Sequence, residues 1–329
     1  MVTPMPSAAL PPPSPRRSRR NGYWLLIKAL LIIVLIFVLA AVAYAGYMLV
    51  QMNNAINEAG ADNTMPVTKP VYDNPVTILL LGTDTRPENP SMNTDVIMVA
   101  TLNPHKKTAT IVSIPRDTII QLPGYSQAKA NSYFAAFHRS SAKTADANIK
   151  TLFGKYMNVP IDYVAKVDFK GFSDIVDQLG GLNIDVDMNM CYTDKQDGTA
   201  IRLTKGMQLL NGGKTLDFVR YRKGNCQNAA DSNDIERNER QQQVIGEIVG
   251  KLKSLEGLLK LGAVTEAAGK NVDTDMPSSQ IKSLIRTYMS LNRDSIIYVH
   301  LEGEWRSPYI YVGSAELKKA QLALQNQLQ

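Results

Sequence analysis

Histidine and cysteine are scarce in this chain of 329 residues, which contains three histidines and two cysteines. The histidines His105, His138 and His300 are far apart in the sequence, and neither Cys191 nor Cys226 has a histidine beside it. Structural zinc sites use cysteine and histidine ligands at characteristic short spacings. The sequence therefore argues against a zinc site.

Several familiar catalytic and phosphate-binding motifs are also missing. There is no G-x-S-x-G sequence, which disfavours an α/β-hydrolase. Gly213-Lys214-Thr215 resembles the end of a P-loop, but the first glycine of that motif would fall at Gln208. Ser140–Lys143 fits S-x-x-K and Ser91–Asn93 fits S-x-N, yet penicillin-binding enzymes place S-x-x-K first and need a later K-T-G. These three enzyme classes are disfavoured.

An excess of basic side chains is absent from most of the chain, although the net charge is +6. The first 51 residues contain no acidic side chain and five basic ones, Arg16, Arg17, Arg19, Arg20 and Lys28. The remainder is left with 31 basic and 30 acidic side chains. Because a nucleic-acid-binding domain is usually strongly basic, we expect no nucleic-acid partner.

One long apolar run extends from Ala29 to Val50 and is long enough to cross a hydrocarbon core of about 30 Å. The alternative is a cleaved signal peptide, but its apolar region is usually only about 7–15 residues long. Basic residues before the run should stay in the cytoplasm. We predict a disordered cytoplasmic tail over residues 1–22, a transmembrane signal-anchor helix over 23–50, a stalk over 51–72 and one extracytoplasmic domain over 73–329. We therefore expect the protein to cross the cell membrane once, with its N-terminus in the cytoplasm.

The two cysteines lie on either side of a polar, glycine-rich stretch of the exported part. In an oxidising compartment such a pair can form a disulfide. Cys191 and Cys226 are therefore disulfide candidates, with a pair of free thiols as the alternative.

Apolar runs and helical spacing alternate along the domain. This pattern predicts an α/β fold in which a mixed central β-sheet is sandwiched by α-helices. The predicted strands are 76–81, 96–102, 109–114, 161–167, 182–186 and 296–301. The predicted helices are pieces of 127–156, then 172–179 and 237–255.

Polar side chains follow the predicted strands at positions where α/β sheets bind ligands. Asp84 and Arg86 come directly after the first strand, Asp95 begins the second, and Arg116 follows the third. Two carboxylates at one sheet edge would suit Mg²⁺, which prefers oxygen ligands and phosphate partners. The alternative for the first pair is a surface turn with a solvated arginine.

A second polar group lies later in the chain. Arg220 and Arg222 would project to the same side of an extended segment, and a helix would place Arg237, Arg240 and Gln241 on one face. Converging guanidinium groups suit the oxygens of a pyrophosphate. The alternative is an ordinary charged surface helix.

The sequence resembles the LytR-CpsA-Psr family of bacterial envelope proteins over a core of about residues 75–250, behind one apolar N-terminal segment. The matching strings are ILLLGTDTR (78–86), TDVIMVATLNP (94–104), IVSIPRDT (111–118), GFSDIVDQLGGLNIDV (171–186), LNGGKTLDFVRYR (210–222) and DIERNERQQQVI (234–245). The resemblance implies a phosphotransferase that moves an anionic glycopolymer, such as teichoic acid or capsular polysaccharide, from a polyprenyl-pyrophosphate carrier to peptidoglycan.

By position, Asp84 and Asp95 match the magnesium-site aspartates of the family. Arg116, Arg220, Arg222 and Arg237 match its pyrophosphate-binding arginines and Gln241 its glutamine, and we add Arg86 as a further phosphate ligand. Asp84, Arg116 and Arg220 are the predicted catalytic residues, with Asp84 as the base. One departure is Asn93, where family members often have arginine. The alternatives are an envelope regulator or lipid-pyrophosphate-binding protein without turnover, and a pyrophosphatase acting on the same lipid.

Overall fold

The computed structural model describes residues 20–60, 69–83, 92–194, 198–227, 229–288 and 293–329. The predicted site residues Asp84 and Arg86, most of the predicted cytoplasmic tail and residues 61–68 of the predicted stalk lie outside these ranges. The chain divides into two compact units, Met1–Met48 and Leu49–Gln329.

Helices and strands alternate along much of the described chain. The helices are α1 (Arg20–Ala59), α2 (Tyr133–Ser140), α3 (Ala142–Met157), α4 (Phe169–Gln178), α5 (Gly212–Arg220), α6 (Asp234–Lys253), α7 (Leu255–Asn271), α8 (Ser278–Tyr288) and α9 (Ser314–Leu328). Strands β1 to β7 are Val76–Thr83, Thr94–Asn103, Thr108–Ser113, Ile119–Ile120, Ala128–Lys129, Tyr163–Asp168 and Leu182–Val186. Strands β8 to β14 are Met190–Thr193, Ala200–Leu203, Gly206–Leu210, Val272–Thr274, Ile296–His300, Gly303–Arg306 and Tyr309–Val312.

The central sheet has six strands in the order β11-β6-β1-β2-β3-β12. Strand β1 pairs parallel with β6 and antiparallel with β2, and β3 pairs antiparallel with β2 and parallel with β12. The predicted mixed sheet is confirmed. Strand β1 is mostly apolar along its length. Strands that are covered by helices on both faces typically have such a nearly continuous apolar run.

Successive side chains of the central strands point to opposite faces and enter different cores. Leu79 and Leu81 of β1 join a core with α2, α3 and α9, which contains Phe153 and Leu324. Leu80 packs on the other face, where α8 contributes Leu284. Helices therefore lie on both faces of the sheet, as predicted.

A second core forms beside the sheet. The predicted strand Leu182–Val186 is present with those bounds, but it pairs with β10 in a separate two-stranded sheet. Its buried Leu182, Ile184 and Val186 pack with Phe218 of α5 and Val244 of α6. This core fixes how α5 and α6 sit beside the sheet.

Helix α1 covers the segment predicted to be a membrane anchor and ends at Ala59, inside the predicted stalk. Ala55 and Ile56 are buried, and a Cβ on Gly269 of α7 would come 2.6 Å from the Ala55 carbonyl oxygen. Within the second compact unit, part of the predicted stalk is thus packed helix. No helix in the described part of the chain combines the length and the apolar character needed to cross a membrane. The anchor stays a prediction.

Candidate functional site

A cavity of about 440 Å³ lies between the sheet and helices α4, α5 and α6. Six of the predicted site residues line it, and they come from three separate parts of the sequence: Asp95, Arg116, Arg220, Arg222, Arg237 and Gln241. The structure therefore brings together every predicted pyrophosphate-binding and metal-binding residue that it describes, whereas Arg240, which was grouped with Arg237 and Gln241, lies elsewhere.

The rest of the cavity wall is largely apolar. Strands β1 and β2, together with β6, supply Leu80, Leu81, Val96, Ile97, Met98, Ala165 and Val167, and the helices supply Phe172, Leu216, Val219, Val244 and Ile245. The sequence did not reveal this lining, because no single segment carries more than a few of these residues. The cavity thus combines guanidinium groups with an apolar wall.

Gly82 of β1 contributes to the width of the cavity. A Cβ at this position would lie 2.9 Å from the Cβ of Val96 on the neighbouring strand β2, closer than side-chain atoms tolerate. Because Gly82 and Val96 are register partners and both line the cavity, a larger residue would push the two strands apart or narrow the space.

The Arg116 side chain is held by two carboxylates at the cavity edge. Its Nη1 donates a hydrogen bond to Asp95 Oδ1, and its Nε lies 3.6 Å from Asp117 Oδ2. Asp117 is buried and its other oxygen accepts from Lys129 Nζ at 2.7 Å. Arg116 therefore has a defined position on the rim, with about a third of its side chain exposed.

Arg220 is the last residue of helix α5, not part of an extended segment. The condition that this segment is extended, under which Arg220 and Arg222 would project to the same side, is not met at Arg220, because the Tyr221 N–H donates to the Asp217 carbonyl oxygen at 3.0 Å and closes the helix. Tyr221 is buried, and Arg222 lies in the loop that follows the helix. Both arginines nevertheless line the cavity.

Two contacts with helix α4 fix the position of Arg220. Its guanidinium carbon lies 4.5 Å from the centroid of the Phe169 ring, a cation–π arrangement. At the other end of α5, a Cβ on Gly212 would lie 2.1 Å from the Ser173 carbonyl oxygen, so glycine permits the close approach of α5 to α4. Burial raises the pKa of the nearby Asp217 carboxyl to about 6, while Arg220 acts in the opposite direction.

Helix α6 presents Arg237, Asn238 and Gln241 to the cavity. Asn233 starts the helix with a capping box, in which its side chain accepts from Glu236 N at 2.8 Å and its own N–H donates to Glu236 Oε2 at 2.9 Å. The cap defines where the first turn begins and therefore which face Arg237 occupies.

Arg240 does not belong to this face, so its predicted grouping with Arg237 and Gln241 is wrong. It is 2% exposed and donates from Nε and Nη2 to the two oxygens of Asp187 at 2.8 and 2.7 Å. Its Nη1 donates to the Tyr221 carbonyl oxygen at 3.3 Å and to Ser232 Oγ at 2.9 Å. Arg240 thus joins α6 to the segment that carries Arg222.

The carboxylates that line the described part of the cavity are Asp95 and Asp168. Asp168 Oδ1 accepts from Gly171 N at 2.6 Å and caps helix α4. Strand β1 ends at Thr83, which pairs with Thr94, so the residue before Asp95 lies beside the residue before Asp84. Within the described ranges no group of three acidic, histidine or cysteine side chains could hold a metal ion.

The donor set is compatible with Mg²⁺ in its chemistry. Asp95 supplies a carboxylate on the cavity wall, and carboxylate oxygens are the ligands that Mg²⁺ prefers. In the structure this carboxylate is engaged by Arg116, so a cation would share it with the guanidinium or replace it.

Sequence reasoning missed Asp168, Phe169 and Asn238, which all line the cavity. A signal was present for the first two, since Asp168 ends strand β6 and Phe169 follows it, at the sheet edge where Thr83, the register partner of Asp168, ends β1. Asn238 directly follows Arg237 near the start of α6.

The structure joins Cys191 of β8 to Cys226 in a disulfide with a Cα–Cα distance of 5.6 Å. Next to it, Asn225 donates from Nδ2 to the Thr193 carbonyl oxygen at 2.7 Å and accepts from Thr193 N at 2.9 Å. These links anchor the loop that follows Arg222.

Comparison with known proteins gives consistent results. A model of the LytR_cpsA_psr family matches residues 43–328. The polyisoprenyl-teichoic acid–peptidoglycan teichoic acid transferase TagV of Bacillus subtilis (strain 168) is 28% identical over 306 residues, covering 88% of this chain and 76% of the relative. The crystal structure of B. subtilis TagV has a TM-score of 0.63 at 27% identity, covering 78% of this chain and 98% of that one. A structure of TagT bound to LI-WTA has a TM-score of 0.59 at 26% identity, covering 80% and 94%.

Proposed function

The chain belongs to the LytR-CpsA-Psr family, and from this premise we propose that it is a phosphotransferase that attaches an anionic glycopolymer from a polyprenyl-pyrophosphate carrier to peptidoglycan. The observation that carries the proposal is the single cavity in which Arg116, Arg220, Arg222 and Arg237 meet an apolar wall. The names of the relatives, teichoic acid transferases, support the same reaction class.

The two parts of the cavity match the two parts of such a donor. A pyrophosphate carries several anionic oxygens, and planar guanidinium groups bind such oxygens in pairs with defined geometry. A polyprenyl chain is purely apolar, and its burial against the strand and helix side chains of the cavity removes apolar surface from water. The related TagT, whose structure contains bound LI-WTA, supports a donor of this kind.

In the proposed reaction a hydroxyl oxygen of the peptidoglycan sugar attacks the phosphorus on the glycopolymer side of the pyrophosphate. A new P–O bond forms to the acceptor, the bridging P–O bond breaks, and polyprenyl phosphate leaves with the electron pair. The arginines neutralise charge on the phosphate oxygens, which is the main requirement of phosphoryl transfer. The hydroxyl proton passes to a carboxylate, for which Asp84 is our proposal from its position in the family motif.

We propose Mg²⁺ as the cofactor, held by Asp95 together with Asp84. When bound, the cation would neutralise further charge on the pyrophosphate oxygens. The support is the Asp95 carboxylate on the cavity wall and the adjacency of the strands β1 and β2 that lead to the two aspartates.

We also propose that residues 23–50 anchor the protein in the cell membrane with the following domain outside. The basic residues before the apolar run support this orientation, and the disulfide fits an oxidising compartment. Alkaline phosphatase becomes active only after export, so a phosphatase fusion after residue 51 should be active. An inactive phosphatase fusion, together with an active β-galactosidase fusion at the same position, would contradict the topology and would favour a regulatory role.

The reaction is tested with the full-length protein, purified with detergent. With Mg²⁺, a polyprenyl-pyrophosphoryl sugar and a peptidoglycan acceptor, we expect polyprenyl phosphate and a sugar-linked peptidoglycan. Arg220→Ala should abolish both products, whereas Arg139→Ala, a change at an exposed position outside the cavity, should not.

The products also separate the alternatives. Release of polyprenyl phosphate without modified peptidoglycan would indicate a pyrophosphatase. Tight lipid binding without any release would indicate a sensor or regulator. Undiminished transfer by the Arg220→Ala variant would show that the cavity is not the site.

A further inference from the structure

Strands β13 and β14 form a hairpin whose two faces differ in chemistry. In this antiparallel pair, residues directly opposite each other share a face. Glu304 pairs with Tyr311 and Arg306 with Tyr309, so these four side chains form one face, which we call the tyrosine face. The opposite face carries Ile310, which is buried against the domain.

The tyrosine face is accessible to solvent and preorganised. The two tyrosine rings have centroids 6.4 Å apart and are nearly perpendicular, and the Arg306 guanidinium lies 5.4 Å from the centre of the Tyr311 ring. Arg306 also pairs with Glu304, and about two-thirds of each of these charged side chains is exposed. The face therefore presents aromatic carbon beside charged groups that can donate and accept hydrogen bonds.

The hairpin is directly connected to the cavity rim. The Ile310 N–H donates to the Asp117 carbonyl oxygen at 2.9 Å, and Ile310 bridges to Thr118. These two residues follow Arg116 in the sequence. With about 4.8 Å between adjacent strands and about 3.8 Å between consecutive Cα atoms, the two tyrosines lie within roughly 16 Å of Arg116, Cα to Cα.

We propose that the tyrosine face binds the glycan strand of the peptidoglycan acceptor, an inference that rests on the proposed function. The rings of pyranose sugars expose C–H groups that stack on aromatic side chains, and their hydroxyl groups bond to carboxylates and guanidinium groups. The donor fills the cavity with its lipid and pyrophosphate, so the acceptor must approach from the rim. A glycan of a few sugar rings would extend from this face to the phosphate-binding arginines.

A membrane surface is the competing occupant, and the charges disfavour it. Glu302 and Glu304 are both exposed at the hairpin and Arg306 balances only one of them, so the remaining carboxylate is repelled by anionic lipid headgroups. Tyr309 and Tyr311 are also half-buried side by side along the hairpin. Such a surface offers two adjacent aromatic rings at a fixed angle, on which successive sugar rings can pack.

The kinetic test uses the double variant Tyr309→Ala/Tyr311→Ala of the full-length protein. We expect the KM for a purified peptidoglycan oligosaccharide to rise about tenfold, as loss of two aromatic contacts implies, while the KM for the lipid donor stays unchanged. The matched control is Tyr72→Ala, which removes an exposed tyrosine outside both the hairpin and the cavity. The thermal midpoint of each variant reports whether the fold is intact.

A binding test without donor separates this inference from the proposed function. Isothermal titration calorimetry of the full-length protein with the oligosaccharide measures acceptor binding directly. The Kd should rise about tenfold after the tyrosine changes, whereas Trp305→Ala, on the opposite face of the hairpin, should leave it unchanged. Such binding by a protein that releases no polyprenyl phosphate would retain the glycan site and reject the transfer reaction.

Three outcomes would overturn the inference. The first is normal transfer with an unchanged acceptor KM in the double variant, which leaves the proposed function standing. The second is a rise in the donor KM instead of the acceptor KM. The third is lost binding to anionic phospholipid vesicles with unchanged oligosaccharide binding, which would assign the face to the membrane.

Discussion

The guanidinium carbon of Arg220 lies 4.5 Å from the centroid of the Phe169 ring. The contact joins the last residue of α5 to the first residue of α4, and both residues line the cavity. Phe169 follows strand β6 directly, so the sheet positions this arginine through an aromatic ring. If the Phe169 ring orients the Arg220 guanidinium, removing the ring should weaken the binding of the donor phosphates.

Replacing Phe169 with alanine should lower kcat/KM for the lipid donor about tenfold, because a partly buried cation–π contact contributes about 1–2 kcal/mol. Phe169→Tyr keeps the ring and should retain most of the activity. Steady-state kinetics of the release of polyprenyl phosphate gives both values. Equal losses in the two variants would show that the ring does not position Arg220.

Replacing Arg240 with alanine should destabilise the protein by about 2–3 kcal/mol, because the buried guanidinium group is hydrogen-bonded to Asp187, the Tyr221 carbonyl oxygen and Ser232. The loss is limited because the Asp187 side chain is 38% exposed and is solvated when its partner is removed. The free energy of unfolding is obtained from urea titration. The control is Arg202→Ala, a change at an exposed position of β9. We expect the free energy of unfolding to be clearly lower for Arg240→Ala than for Arg202→Ala. Similar unfolding curves would contradict a structural role for the Arg240–Asp187 pair.

Replacing both cysteines with serine should lower the free energy of unfolding by about 4 kcal/mol, given the 35-residue separation of Cys191 and Cys226. The closed loop contains Arg220 and Arg222, so the donor KM should rise as well. Dithiothreitol should bring the unmodified protein to the same unfolding midpoint and leave the double-serine variant unaffected. Insensitivity of the unmodified protein to the reductant would argue against the disulfide.

Replacing Asp217 with asparagine should alter the pH dependence of stability. Burial raises the pKa of the Asp217 carboxyl to about 6, whereas in the unfolded chain it titrates near its ordinary value of about 3.9. Between these values the folded state binds more protons than the unfolded state, so the contribution to stability decreases as the pH rises through this window.

Asparagine resembles the protonated carboxyl and cannot ionise. The Tm of the Asp217→Asn variant should therefore match that of the unmodified protein at pH 4 and exceed it by a few degrees at pH 8. Thermal denaturation at the two pH values measures the difference. A constant difference across this range would mean that the pKa of Asp217 is not raised.

Removal of Mg²⁺ with EDTA should stop the release of polyprenyl phosphate, and added Mg²⁺ should restore it. In the Asp95→Asn variant the Mg²⁺ concentration for half-maximal rate should rise at least about tenfold, because one charged ligand is lost. Direct binding of Mn²⁺, followed by electron paramagnetic resonance, should weaken in parallel. Asp185→Asn, at an exposed position of β7, is the control. Full activity in EDTA would exclude the metal.

The central strands and the α/β class could be predicted from the sequence because they depend on short-range patterns. Apolar runs such as 76–81 and 296–301 identify buried strands, and the spacing of Phe172, Ile175, Val176 and Leu179 identifies a helix. The polar residues beside the predicted strands and the later arginine-rich group together supplied the six residues that the cavity unites. The C-terminal hairpin and helix α9 stayed unassigned, since neither has a pronounced periodic pattern.

The sequence by itself determined the fold class, the family and the chemical types of the site residues, because these are encoded in local patterns and motifs. Only the tertiary structure decided that Arg240 is buried against Asp187 while Arg237, three residues earlier, lines the cavity. It also decided that Arg220 ends a helix and that a hairpin lies beside Arg116. The reason is physical: the direction of a side chain and the neighbours it meets depend on the packing of segments far apart in the sequence, which no local pattern specifies.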